Sequence, residues 1–370
     1  MTQACYVERL TLSHMRSYVS FDQEFDARPV AIYGANGSGK TNILEALSLL
    51  SPGRGLRRAS SADIARRPTS IGWKVQARLW DGQRPREINL RTEPGQSRSI
   101  QIDSKAASSS TLAQLAGFIW LTPAMDRLWI EGADGRRRFL DRITLSLYPE
   151  HAEQSLTYEK AMRERNRLLK EGMHDAHWYR ALERQMAQAG SQIQAHRRAA
   201  LDQISTAQSQ VTGHFPQGDF DLFQGDTPYE ETQEGLIEGL AQSRAMDLRA
   251  GRTLIGPHRA DVTAIYRAKE MPAAECSTGE QKALLLSMVL ANARALQRRD
   301  GRAPIMLFDE VAAHLDAGRR AALYDEVSAT GAQAWLTGTG PELFEALGPR
   351  AQYLEMREEN NISQIAAYHA

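Results

Sequence analysis

The sequence predicts an α/β fold in which a strand-rich head is interrupted by a mainly helical arm. Three observations carry this. A short apolar run at residues 29–33 leads into a glycine-rich loop and then an amphipathic helix. From about residue 136 to 209 the chain is rich in Arg, Gln, Glu and Ala, with Phe139, Ile143 and Leu147 recurring every fourth position. Strand-and-turn character returns from Thr253, with Ile305–Phe308 as a further buried-strand candidate. These shifts place the head at residues 1–112 and 252–370 and the arm at 113–251.

Taken in order, residues 6–12 alternate apolar and polar, the period of a half-buried strand, and Phe21 and Phe25 suggest a second strand. After the glycine-rich loop, Ile43, Leu44, Leu47 and Leu50 mark one face of a helix that stops before Pro52 and Gly53. Residues 75–79, 88–90 and 100–102 read as short strands separated by the turn pairs Asp81-Gly82 and Pro94-Gly95. The helix-forming stretch suggests an antiparallel helix pair, followed by a poorly patterned segment at 213–235.

Composition narrows the function classes. The chain has 370 residues, enough for about two domains. Lys plus Arg and Asp plus Glu both number 45, so a DNA-binding face must be a local patch. Cys5 and Cys276 lie far apart, which fits a reducing compartment and offers no metal-ligand spacing. His174 and His177 add no recognisable metal pattern. There is no signal-peptide run at the start and no window of roughly 18 apolar residues, so the expectation is a cytoplasmic protein without a membrane partner.

The chemistry is concentrated in three motifs. Gly34, Ala35, Asn36, Gly37, Ser38, Gly39, Lys40 and Thr41 match the G-x-x-x-x-G-K-[ST] phosphate loop. Its glycines let backbone N–H groups turn toward phosphate oxygens, Lys40 reaches the β- and γ-phosphates of ATP, and the Thr41 hydroxyl ligates Mg²⁺. Next, Ile305–Phe308 ends in Asp309 and Glu310. Alone, that pattern marks a solvated strand end; beside a phosphate loop it places Asp309 on the metal and makes Glu310 the residue that polarises the attacking water. The third motif, running from Cys276 to Gln281, resembles the signature of ABC-type ATPases. Ser277 and Gly279 open an apolar helix there, an arrangement that alone is a helix cap. About thirty residues before Asp309, it instead fits an anion trap for the γ-phosphate of an opposed subunit. His314, Leu315 and Asp316 stand where that superfamily has its dimer-contact aspartate.

The match then narrows. The chain resembles the RecF family, bacterial recombination-repair ATPases related to SMC heads. The resemblance rests on Leu12 to Tyr18, on Thr41, Asn42, Ile43, Leu44, Glu45 and Ala46, and on Gly53-Arg54-Gly55-Leu56-Arg57. It continues through Arg137-Arg138-Phe139-Leu140-Asp141, Arg165 to Lys170, Gly256-Pro257-His258-Arg259 and Gly338-Thr339-Gly340, in family order over most of the chain. It implies an ATP-dependent homodimer on double-stranded and gapped DNA that works with RecR and RecO to place the RecA recombinase. It also implies that Arg16 contacts nucleotide phosphate and that Asn42 belongs to the nucleotide site. The chain departs from the family at Ala124 in the Thr122-Pro123 run, at Ala260 after His258-Arg259, and at Thr278 and Glu280 where many relatives carry glutamine. Transporter-type relatives have a switch histidine in the region that here reads Trp335-Leu336-Thr337-Gly338.

For DNA contact the candidates are Arg54, Arg57 and Arg58, then Arg66 and Arg67, Arg136 to Arg138, and Arg163, Arg165 and Arg167 of the arm. The competing reading of each is a solvated helix face. Trp120, Trp129 and Trp178 are candidate stacking residues or core. Two other function classes are weighed against the DNA clamp: the nucleotide-binding subunit of a membrane transporter, and a non-hydrolysing nucleotide-bound scaffold. The absent switch histidine opposes the first, and the presence of Lys40, Asp309 and Glu310 opposes the second.

Overall fold

The structure is a computed structural model that describes residues 5–68, 71–209, 215–225 and 228–370, with His314 described in its backbone only. The chain's start and part of the 213–235 segment lie outside the described residues. Two compact units emerge, one of residues 1–126, 211–215 and 285–370, the other of 127–210 and 216–284.

The head unit holds two six-stranded sheets. One is antiparallel, in the order Tyr18–Glu24, Tyr6–Met15, Trp73–Trp80, Pro85–Thr92, Ser99–Ile102, Lys105–Ala106. Its first strand buries Val7, Leu10, Leu12 and Met15. A bulge between Val7 and Arg9 explains the first of its two intervals of three, from Val7 to Leu10. The other sheet runs Ile362–His369, Gln352–Glu359, Val30–Tyr33, Ala334–Gly338, Ile305–Phe308, Phe118–Leu121. Its pairs are parallel except at the Ile362–His369 edge. Central strands such as Val30–Tyr33 and Ile305–Phe308 are near-continuous apolar runs because both faces are covered. One core cluster joins side chains of both sheets, including Leu10, Val75, Ile32, Leu307 and Trp335. In a parallel sheet, ligands gather at the carboxyl ends of the strands. Here those ends carry Gly34, Thr337 with Gly338, and Asp309 with Glu310, on three adjacent strands.

The arm unit contains Ala133–Leu147, His151–Lys170, Ala176–Gln208 and Gln233–Ala250 as helices. A three-stranded antiparallel sheet of Met271–Pro272, Asp261–Tyr266 and Gly218–Phe223 completes it. The 33-residue helix is about 50 Å long at 1.5 Å per residue, and it starts where the Asp175 side chain accepts the His177 amide. Tyr158, Ala161, Met186, Ile193, Leu236 and Leu240 pack three helices together.

The units divide near residues 126 and 284, not at 112 and 251, for reasons of strand pairing that composition does not carry. Phe118–Leu121 pairs with Ile305–Phe308 in the head. Asp261–Tyr266 pairs with Gly218–Phe223 in the arm unit, a strand inside the stretch that read as unpatterned. Among the described residues, no helix is long and apolar enough to cross a membrane.

Candidate functional site

Strand Val30–Tyr33 delivers the glycine-rich loop, and the helix Lys40–Ser48 leaves it. Two glycines are required by geometry. Gly34 has φ +146°, and a Cβ there would collide with the Met356 carbonyl oxygen. Gly39 has φ +95°, and a Cβ there would meet Ser363 and, at 2.9 Å, the Tyr18 hydroxyl. Lys40 Nζ donates to the carbonyl oxygens of Gly34 (2.7 Å) and Ala35 (2.8 Å), so the ammonium lies over the loop itself. Burial pulls the Lys40 ammonium below its ordinary pKa, and the carboxylates of Glu310 and Asp309 oppose that shift. Ser38 Oγ is buried, and among the described residues it has no hydrogen-bond partner. An orphaned hydroxyl in a glycine-rich loop at a helix start belongs to the donor set that phosphate oxygens satisfy.

The strand Ile305–Phe308 places Asp309 against this helix. Thr41 Oγ1 donates to Asp309 Oδ1 at 2.8 Å, and Thr337 Oγ1 donates to the same oxygen at 2.9 Å. The Glu310 amide in turn donates to Thr337 Oγ1 at 2.9 Å. Glu310 has φ +52°, a left-handed conformation uncommon for a non-glycine residue. Among the described residues, no group of three or more His, Cys, Asp or Glu could hold a metal. The Thr41 hydroxyl and the Asp309 carboxylate are instead two adjacent hard oxygen donors, which suits Mg²⁺ completed by phosphate and water. Sequence reasoning missed Thr337, which shows no signal beyond being a polar residue at a buried strand end.

Arg16 and Arg57 are organised by a residue given no role from the sequence. Glu45 is fully buried on the loop's own helix. It accepts from Arg16 Nη2 at 2.7 Å and Nε at 2.8 Å, and from Arg57 Nη1 at 3.3 Å. Arg57 also donates to Asn42 Oδ1 at 2.9 Å, and Asn42 donates to Ser17 Oγ at 2.8 Å. The visible signal was a charged residue between Leu44 and Ala46 on a short apolar helix. Beside Arg16 lies a cavity of about 520 Å³, lined by Arg16, Ser17, Asp63, Ala65, Arg66, Arg67 and Asn361. Its guanidinium lining matches an anionic ligand, and Arg66 and Arg67 therefore border this cavity.

The remaining candidates separate by environment. Arg54 and Arg58 are exposed, and among the described residues neither has an ion-pair partner. Arg136 forks onto Asp261, and Arg137 donates to the Ala260 carbonyl and pairs with Asp134. Arg165, a DNA-contact candidate by its sequence, is fully buried; it pairs with Glu183 and Asp247, and an arginine so enclosed contacts no DNA. Arg167 pairs with Glu164 and Glu171 while Arg163 is exposed. Trp120 and Trp129 are buried, whereas Trp178 is exposed.

Ser277 and Gly279 belong to the arm unit. Ser277 Oγ donates to Glu280 at 2.9 Å, the Ser277 amide donates to the same oxygen at 3.0 Å, and Lys269 pairs with the Glu280 carboxylate. These contacts hold the Glu280 carboxyl down at about 2, the Lys269 ammonium being the largest cause. Asp316 caps the helix Ala317–Thr330 by accepting the Arg319 amide, and the His314 side chain lies outside the described residues. His258, whose role the sequence left open, hydrogen-bonds Tyr158 OH through Nδ1 at 2.8 Å and the Thr253 carbonyl through Nε2 at 3.1 Å. Since a carbonyl only accepts, Nε2 carries the proton and Nδ1 accepts, which is the neutral ring. Burial lowers its pKa to about 4.

The family model described as RecF/RecN/SMC N terminal domain matches residues 6–363. A DNA replication and repair protein RecF of Rhizobium meliloti (strain 1021) is 45% identical over 365 residues, covering 96% of this chain and 98% of that relative. The protein of the same description from Brucella suis biovar 1 is 44% identical over 365 residues, covering 95% of this chain and 94% of that relative. Among solved structures, the recombination mediator protein RecF-ATPrS in the RecFOR pathway aligns with a TM-score of 0.84 at 21% identity, covering 99% of both chains. An Smc head domain from Pyrococcus furiosus aligns with a TM-score of 0.57 at 19% identity, covering 99% of this chain and 96% of that one. At those identities the solved structures show the shared ATPase-head fold.

Proposed function

This chain belongs to the RecF family of the RecF/RecN/SMC group, and from that membership we propose that it is an ATP-switched dimeric clamp on DNA in recombinational repair. The observation that carries the reading is the hydrogen-bonded chain Thr41–Asp309–Thr337–Glu310 amide, which ties the phosphate-loop helix to the acid pair. The amides around Gly37 to Thr41 and the Lys40 ammonium hold the phosphates of ATP. Thr41 and Asp309 hold Mg²⁺, which when bound neutralises phosphate charge. Glu310 accepts a hydrogen bond from water and so orients it for attack; removing that carboxylate stops turnover but leaves binding. Ser277 and Gly279 supply the helix-start donors for the γ-phosphate held by an opposed copy, so two ATP molecules close two heads. Arg54, Arg57 and Arg58 contact DNA phosphates, which gives sequence-independent, salt-sensitive binding. Hydrolysis opens the dimer, is slow, and is stimulated by DNA. The family relationship supports double-stranded and gapped DNA as the ligand, RecR and RecO as partners, and placement of the RecA recombinase as the outcome.

The test is molecular mass in solution with no nucleotide, with ADP and with ATP, using Glu310→Gln to block turnover, repeated with gapped duplex. A dimer that forms only with ATP and holds DNA in a salt-sensitive way supports the clamp. Ser277→Arg should then abolish the dimer while nucleotide still binds. Mass and DNA retention that ignore ATP would reduce the signature segment to a helix cap. Unchanged ATP turnover in Glu310→Gln would remove the hydrolytic assignment.

A further inference from the structure

One end of the arm carries a surface that the proposed nucleotide site does not use. Leu168 and Leu169 of His151–Lys170, Tyr179 and Leu182 of Ala176–Gln208, and Leu248 of Gln233–Ala250 form one small apolar cluster where three helices converge. Around it, residues 163–184 and 244–252 carry nine cationic side chains against five carboxylates. Each carboxylate has a partner within the arm. Glu183 and Asp247 are buried against Arg165, with Arg244 also on Glu183. Glu164 and Glu171 pair with Arg167, and Asp175 accepts the His177 amide. Among the exposed side chains of these segments, seven are cations and three, Glu164, Glu171 and Asp175, are carboxylates. Arg163, Lys170, Arg184, Arg249 and Arg252 are exposed, and among the described residues none has an ion-pair partner. Lys170 lies beside the end of the third helix, since a Cβ on Gly251 would sit 3.7 Å from its Cγ.

The same end exposes an aromatic ring. Trp178 is 62% exposed although its neighbour Tyr179 is buried in the cluster, and Met173 and Met246 are exposed nearby in sequence to the cationic residues. Loose cations and an open flat ring at one end of the arm suit an unpaired nucleic-acid strand, whose phosphates take the cations and whose bases stack on the ring. A duplex offers no open base face for Trp178. An acidic peptide offers charge but leaves the ring without a stacking partner.

The geometry points to this arm end as a single-strand nucleic-acid site, where Lys170, Arg249 and Arg252 contact phosphates and Trp178 stacks on a base. It rests on the clamp reading only for the choice of DNA, and it gives the unpaired strand of a gap a contact of its own. The probe is labelled oligo(dT), titrated into the full chain without nucleotide and followed by anisotropy and tryptophan emission. Trp73, Trp120, Trp129 and Trp335 are buried and Trp80 is half-buried, so the part of the quench lost in Trp178→Ala is the part that reports on Trp178. Saturable, salt-sensitive quenching is expected. Trp178→Ala should lose the quench and weaken binding roughly tenfold. The Lys170→Ala, Arg249→Ala, Arg252→Ala triple variant should flatten the slope of log affinity against log salt by about 2. These side chains are exposed, and circular dichroism confirms that the variants fold. Absence of quenching, or a triple variant with the wild-type slope, overturns the proposal. Polyglutamate quenching as strongly as oligo(dT) overturns it in favour of an acidic protein partner. Because no nucleotide is added, the titration decides this site even if the ATP-dependent dimer fails its own test.

Discussion

Replacing Arg165 by Met tests whether the arm is braced from inside. Arg165 is fully buried and donates to Glu183 at 3.1 Å, Thr253 Oγ1 at 2.9 Å and the Leu240 carbonyl at 3.1 Å, with an ion pair to Asp247 at 2.7 Å. Tyr179 lies under two guanidinium groups, Arg165 at 5.8 Å and Arg244 at 5.1 Å from its ring centroid. Removing one partner of a buried ion pair costs about 3–5 kcal/mol, mostly for the charge left behind. Two features place this case at the lower end, about 3 kcal/mol. Glu183 keeps Arg244, and Asp247 keeps hydrogen bonds from Ser243 Oγ (2.9 Å) and the Leu254 amide (3.0 Å). At 1.36 kcal/mol per factor of ten, amides whose exchange requires the arm to open should exchange on the order of 100-fold faster. The assay is hydrogen exchange read on peptides from His151–Lys170, Ala176–Gln208 and Gln233–Ala250, with head peptides as the internal reference. Arg163→Met, exposed on the same helix, should stay within about 0.5 kcal/mol of wild type. If Arg165→Met exchanged like Arg163→Met, the internal brace would be a wrong account of this arginine.

Three further outcomes are expected. Burial holds His258 neutral with a pKa of about 4, below the ordinary value near 6.5, beside Arg137, Arg165 and Arg259. Its contribution is complete above about pH 6.5 and is lost as pH falls toward 4, because the unfolded chain takes the proton first; His258→Gln should flatten this part of a urea-midpoint profile by roughly 3 kcal/mol. Glu45→Gln removes the one buried charge that holds both Arg16 and Arg57, so equilibrium unfolding should show a loss of about 1.5–3 kcal/mol, and nucleotide titration should show weaker binding. A variant as stable as wild type would show that the arginines do not depend on it. Gly39→Ala puts a side chain at φ +95° against Ser363 and Tyr18, so nucleotide binding should vanish in calorimetry while the far-ultraviolet circular dichroism of the arm persists; retained affinity would mean that the loop holds phosphate in another geometry.

The phosphate loop, the acid pair and the signature segment could be proposed from the sequence because each is a local pattern, its candidate residues adjacent on one turn or one strand end. Hydrophobic pattern similarly pointed to seven of the fifteen strands found among the described residues, and to the helical arm, since burial of one face repeats along the chain. Strand partners leave no local mark, and so Phe118–Leu121 joined the head and Asp261–Tyr266 joined the arm against the compositional boundaries. Charge was the least legible property. Arg163, Arg165 and Arg167 look alike in sequence, yet one is exposed, one is sealed among carboxylates, and one is paired on the surface. Glu45 and Thr337 likewise became visible only once folding carried Arg16, Arg57 and Asp309 to them from distant positions. Whether a charged side chain is solvated, paired or buried depends on which groups the fold brings within a few ångströms of it, and that distance is set by tertiary structure, not by position along the chain.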